Sequence, residues 1–191
     1  HSVFLSGNGP LVDVLREALA RDSVETAKEK GDKLKKADAE REAKAFIQNI
    51  HHFRDDNLNT EKAPIEKVVV FDEAQRAWQK EQVSKFMKTK KGIDNFEMSE
   101  PEYLISVMDR HQDWCTIVCL IGGGQEINTG EAGVSEWVQS LKQIYSNWNV
   151  YYSDKILSEN TTDLSDKELL NWLEINGKKE VDLHLAISLR S

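Results

Sequence analysis

The 191-residue sequence has little cysteine, little proline and no long apolar run, and each shortage excludes something. The two cysteines, Cys115 and Cys119, stand four apart in WCTIVCLIGGG. In an extended strand that spacing puts them on one face but about 13 Å apart, too far for a disulfide. They read as small core residues of a reducing compartment. A zinc site is also excluded, because His51 and His52 are adjacent and no cysteine or carboxylate recurs at ligand spacing around them. No apolar stretch approaches the roughly 20 residues that span a bilayer. The amino terminus lacks a basic segment followed by an apolar one, so no signal peptide is expected. The chain begins at His1 rather than Met, which fits processing, a tag remnant or a piece of something longer. The most telling absence is the phosphate-cradling pattern G-x-x-x-x-G-K-[ST]. GNG (7–9) and GGGQEINTG (122–130) lack the lysine, and Gly177-Lys178 is followed by Lys179.

With 39% hydrophobic and 30% charged residues, the composition is that of a folded chain rather than a disordered one. Its length suits one domain, with room for an appendage. The net charge of −8 is unevenly placed. Residues 1–91 carry 18 Lys+Arg against 16 Asp+Glu (+2), and residues 92–191 carry 7 against 17 (−10). An acidic carboxyl half repels a phosphate backbone, so contact with nucleic acid is expected in the amino half. The densest basic group there is Lys85, Lys88, Lys90 and Lys91, a weak signal by itself that reads first as a solvated helix end.

Along the chain, SVFLSG (2–7) reads as a buried strand. Pro10 opens a helix with Leu11, Val14, Leu15, Ala18 and Leu19 on one face. Residues 22–63 are rich in Lys, Glu, Asp and Ala and predict a charged helical insertion, packed only through Phe46, Ile47, Ile50 and Phe53. IEKVVVF (65–71) forms a second strand, apolar on both faces at its end, and AQRAWQKEQVSKFM continues as a helix. SEPE (99–102) is a capping box opening the helix EYLISVMDRH. TIVCLI (116–121) is a third buried strand, and VSEWVQSLKQIY an amphipathic helix with Val134, Trp137, Val138, Leu141 and Ile144 aligned. NVYYS and VDLHLAIS supply two more strands around the helix DKELLNWLEI. Strand–helix alternation predicts an α/β fold with a parallel sheet covered by helices on both faces.

In such sheets ligands gather beyond the carboxyl ends of the strands. DEAQ (72–75) and GGGQE (122–126) are placed there. Two successive carboxylates at a strand end suit phosphate chemistry, with Asp72 holding Mg²⁺ and Glu73 as the base that orients and deprotonates a water. The alternative is a helix N-terminus carrying acids because the helix dipole favours them. Trp78 reads as a core residue or as a stacking platform for a base. Gln125 reads as a cap of the segment after it, and Arg76 as a partner of Glu73 or Asp72 or as a solvent-facing residue.

VFLSGNGPLVDVLREAL, VVVFDEAQRAW, SEPEYLISVMDRHQDW, CLIGGGQEINTGEAG and LHLAISLRS together resemble the Schlafen group 3-like DNA/RNA helicase domain, a family of mostly bacterial ATPases related to superfamily 1 helicases. The resemblance runs from about residue 2 to the end, outside 22–63. It implies a partial RecA-like fold of the P-loop NTPase kind. DEAQ is then the Walker B element, with Asp72 on Mg²⁺, Glu73 on water and Gln75 near the γ-phosphate. GGGQE takes the place of motif III, where Gln125 senses the γ-phosphate, although the usual Gly-Asp-x-x-Gln has lost its Asp and one residue. LAISLRS (185–191) has the spacing of L-x-x-N-Y-R-S, with Ser188 for Asn, and gives Arg190 the role of stabilising transition-state charge. In that family the lysine loop lies shortly before a segment like SVFLSGNGPL. The implied whole is a cytoplasmic, non-membrane, nucleic-acid-dependent ATPase that uses Mg²⁺ and ATP on DNA or RNA, and the present chain is expected to be inactive without its flanking segments. The competing reading is an α/β module that binds a protein or nucleic acid without nucleotide. A metal nuclease built on Asp72 and Glu73 is weaker, since no third carboxylate or lysine stands at a telling spacing.

Overall fold

A computed structural model describes residues 1–122, 130–157, 164 and 166–184. Two compact units divide the chain: residues 1–73 with 104–121, and residues 74–103 with 122–191. The first holds a four-stranded sheet in the order β2-β1-β3-β4, every pairing parallel. Its strands are β1 (Ser2–Ser6), β2 (Ile47–Asn49), β3 (Val68–Phe71) and β4 (Thr116–Cys119). Helices α1 (Gly9–Glu29), α2 (Lys36–Phe46) and α3 (Ile50–Asn57) flank it. This α/β arrangement is the expected one and agrees with a partial RecA-like fold. Alternation places Val3, Leu5, Val69 and Phe71 in the core, each at most 1% exposed.

Three expectations fail in this unit. Residues 22–63 do not pack only through Phe46, Ile47, Ile50 and Phe53. They contribute β2, an edge strand of the main sheet, and an alanine seam in which Ala20 of α1 meets Ala39 and Ala43 of α2. Small side chains let the two backbones approach closely, which a search for large apolar residues overlooks. Phe46 is itself exposed. On α1 the buried positions are Val12 and Ala20, whereas Val14 is 66% exposed, so the apolar stripe is rotated from the one read in sequence. Finally, TIVCLI is not covered on both faces: β4 has one neighbour among the described residues and alternates between exposed and half-buried. An apolar strand marks the sheet but not its place in it.

In the second unit the sequence DEAQRAW turns rather than coils. A 3₁₀ turn, Ala74–Arg76, leads to an extended stretch, and α4 begins only at Lys80–Phe86. The predicted helix from residue 74 is broken because the backbone pairs elsewhere. Gln79 N–H donates to the Gly130 carbonyl, Ala132 N–H donates to that of Ala77, and Trp78 forms an antiparallel bridge with Glu131. Helix α5 (Glu100–Met108) starts as SEPE predicts, with Glu102 N–H donating to Ser99 Oγ at 3.2 Å. Helices α6 (Gly133–Gln143) and α7 (Lys167–Asn176) pack through Val134, Val138, Leu169 and Leu173, while Ile144 lies beyond α6 and is exposed. Asp166 caps α7, accepting from Glu168 N–H at 2.8 Å.

Of the strand read in VDLHLAIS (181–188), residues 181–184 are not a strand, and 185–188 lie outside the described residues. A strand not read in sequence, β6 (Gly177–Glu180), four residues of polar GKKE, pairs in parallel with β5 (Val150–Ser153) in a two-stranded sheet. A 3₁₀ turn, Val181–Leu183, follows. Gly177 is required by packing: a Cβ there would stand 2.7 Å from the Leu173 carbonyl and 2.9 Å from the Tyr152 ring. That explains the Gly-Lys pair without a phosphate loop.

Candidate functional site

The strand order fixes where a ligand belongs. From β1 the chain crosses to β2 on one side, and from β3 it crosses to β4 on the other. The crevice between the carboxyl ends of β1 and β3 is therefore the topological switch point, the usual ligand position in an open parallel sheet. Asp72 follows β3 there, held in register by its own N–H donating to the Leu5 carbonyl at 2.9 Å. Ser6 ends β1, and its hydroxyl donates to Asp72 Oδ2 at 3.1 Å. Asn8 N–H donates to Ser6 Oγ at 3.2 Å, orienting that hydroxyl, and the Asn8 side chain caps α1 by accepting from Leu11 N–H. The crevice is thus closed by a chain of bonds from a helix cap to a carboxylate.

Burial holds the Asp72 carboxyl above its ordinary value, and the neighbouring Glu73 charge pushes the same way; the Ser6 hydrogen bond opposes both. An oxygen donor whose charge is disfavoured by its surroundings is suited to a hard cation, which restores the balance. Glu73 takes φ = 49°, and no other non-glycine residue among those described has a positive φ. The left-handed conformation costs a residue with a Cβ about 1–2 kcal/mol. It turns the chain sharply after β3, so that two consecutive carboxylates leave the strand end without the alternation a continuing strand would impose. Strain of this kind collects at functional positions.

The residues after Glu73 are fixed in the second unit. Trp137 Nε1–H donates to the Ala74 carbonyl at 2.8 Å, anchoring the turn. Gln75 is 2% exposed; its Oε1 accepts from Gly122 N–H at 3.3 Å, and its Nε2 has no hydrogen-bond partner among the described residues. A buried amide donor needs an acceptor, and residues 123–129, which follow Gly122 in sequence, lie outside the described residues. Arg76 lies 3.7 Å from Glu131, a neighbour that the sequence reading, which named Glu73, Asp72 or solvent, did not include. Trp78 is bound into the scaffold: its N–H donates to Glu100 Oε2 at 3.0 Å, its carbonyl accepts from Glu100 N–H at 2.9 Å, and its ring meets Phe86 edge-on. The Trp78 residue is half-buried, between the core and surface readings. Among the described residues no group of three or more His, Cys, Asp or Glu forms a metal cluster.

Of the residues singled out in sequence, Asp72 and Glu73 share the end of β3, and Gln75 holds the start of the glycine loop through Gly122. Gln125 and Arg190 lie outside the described residues. Sequence reading missed Ser6. Its only signal is its position at the end of the strand that pairs with β3, which the sequence alone does not reveal.

The whole chain, residues 1–191, matches the profile of the family described as Schlafen group 3, DNA/RNA helicase domain. Neither the curated proteins nor the solved structures give a match.

Proposed function

Since the chain belongs to the Schlafen group 3 DNA/RNA helicase domain family, we propose that it is part of the motor domain of a nucleic-acid-dependent ATPase and that DEAQ is its hydrolytic element. The observation that carries this reading is the Ser6–Asp72 hydrogen bond across the switch point, followed by Glu73 in a strained left-handed conformation. Asp72 is the residue for Mg²⁺, and a carboxylate beside a hydroxyl is a hard-oxygen donor set that fits it. Mg²⁺, when bound, neutralises phosphate charge. Glu73 orients and deprotonates the attacking water. Gln75 takes the place near the γ-phosphate that the family pattern gives it. Gln125 and Arg190 take the sensing and charge-stabilising roles of the family pattern, the first weakened by the loss of the Asp in Gly122-Gly123-Gly124-Gln125.

The backbone cradle and lysine that hold the phosphates have no counterpart in these 191 residues. In the proposal they come from a longer polypeptide. Without them, Asp72 and Glu73 present two negative charges to a polyanion, and one or two carboxylates bind Mg²⁺ weakly. The expected result is therefore negligible ATP turnover by this chain and restored turnover in a protein extended upstream to a G-x-x-x-x-G-K-[ST]. Glu73→Gln in the extended protein removes turnover and leaves nucleotide binding in place. Hydrolysis rates of the three samples decide. Equal turnover by the short and extended proteins defeats the reading, and full activity in the extended Glu73→Gln variant removes Glu73 as the base.

A further inference from the structure

Helix α4 ends in a π-helical turn, Met87–Lys91, whose buried side is formed by Val83 and Met87 and whose outer side carries Lys85, Lys88, Lys90 and Lys91, all exposed. We propose that this lysine face is a contact surface for the phosphate backbone of a single-stranded nucleic acid. The inference rests on the nucleic-acid part of the reading above and gives it a place on the molecule.

Three features favour a polyanion over a merely solvated helix end. The first is purity of charge. Residues 85–91 hold four lysines and no acid, in a chain of net charge −8. The other lysine-dense stretch, residues 28–36, has five lysines but also Glu29 and Asp32, and its Lys36 lies within ion-pair distance of Glu17 and Glu40. Lys88 lies 3.5 Å from Asp94, a pair between two exposed side chains, and such pairs contribute little.

The second feature concerns stability. Lysines in a last helical turn are favoured by the helix dipole. Four within seven residues repel one another, which offsets that gain. Folding alone does not account for the cluster, whereas phosphate neutralisation does.

The third feature is order. The turn is closed by Gly92 at φ = 70° and by Ile93 N–H donating to the Met87 carbonyl, and Ser84 Oγ bonds the Phe96 carbonyl of the returning loop. The lysines are therefore displayed on a fixed terminus. Lys85, Lys88, Lys90 and Lys91 all lie exposed at the end of α4 and in the π-turn. A π-turn of this kind is often found at functional positions.

The test is fluorescence anisotropy of this chain with labelled 20-nucleotide oligo(dT) and oligo(U) between 50 and 200 mM KCl. Each phosphate contact on a single strand adds about −0.7 to the slope of log K against log salt, so four contacts give about −2.8 and about a 50-fold weakening over that range. Lys→Gln at 85, 88, 90 and 91 together abolishes the salt-dependent binding, and each single change lowers the slope by about 0.7. The same change at Lys28, Lys30, Lys33 and Lys35 leaves the slope as it was. The proposal is overturned if the unaltered chain shows no salt-dependent binding, or if the quadruple variant keeps the parent affinity and slope. It is also overturned if the control variant loses as much, or if phosphatidylserine vesicles are bound and the oligonucleotides are not. Binding retained through another surface would leave the nucleic-acid reading intact while removing this one. Lysine-dependent binding alongside an inactive extended protein would support this surface and overturn the motor reading.

Discussion

Glu73 carries the clearest cost of any residue in the candidate site. Its left-handed backbone is one that glycine adopts freely and a residue with a Cβ does not. Removing the rest of the side chain while keeping the Cβ relieves none of this strain. Glu73→Gly is therefore expected to be more stable than Glu73→Ala by about 1 kcal/mol, measured by urea denaturation of the two variants. Equal stability would show that the turn is not strained. The place of Asp72 and Glu73 at a strand end was legible because the apolar VVVF run before them marks the strand. Ser6 was not, since its contact with Asp72 spans 66 positions of sequence and depends on which strands are neighbours. Gln75 was singled out only through its motif. Its bond to Gly122 depends on the turn of DEAQRAW that periodicity had read as helix.

Among the elements, the segment after α5 ties down the loop before β3. Arg110 Nη1 donates to the Thr60 carbonyl at 2.8 Å and reaches those of Asn57 and Lys62 at 3.4 Å. His111 Nε2 lies 3.0 Å from the Glu66 carbonyl, and Lys67 pairs with Asp113, which holds that carboxyl well down, at about 2. Lys67 also sits over the Trp114 ring at 5.0 Å. The polar run NLNTEKAP was read correctly as a loop, but MDRHQDW gave no sign of being its clamp. Backbone carbonyls have no sequence signature. Arg110→Ala should cost about 1–2 kcal/mol, the scale of a charged hydrogen bond lost. Amide exchange across 57–62 should quicken more than exchange in β1. Uniform acceleration over the whole unit would indicate general destabilisation and no local clamp. The same limit explains β2, whose three residues IQN carry no strand pattern and gain their conformation from pairing with β1.

For the molecule as a whole, the fold class followed from strand–helix alternation, while the division into two units and the separate β5–β6 sheet did not. Alternation records how often the chain crosses over and says nothing of which strands share a sheet. The charge is a whole-molecule property. With a sequence pI near 5.2 and a net charge of −8 at pH 7, self-repulsion keeps molecules apart at neutral pH and vanishes as the carboxylates and histidines protonate. Solubility should therefore pass through a minimum near pH 5.2, visible as light scattering across a pH series. A minimum near neutrality would mean that association follows a surface patch instead. Because every pairing in the four-stranded sheet is parallel, its two rims have separate duties. Lys67 N–H bonds the His1 carbonyl and Thr116 N–H bonds the Lys67 carbonyl at the amino rim, while Ser6 and Asp72 meet at the carboxyl rim. For an engineer this division is a map of where the protein tolerates hardware. A fluorophore or tether belongs on the amino side, at a position such as Ile65, which is 72% exposed. It would report on the sheet there while leaving the opposite rim free for chemistry.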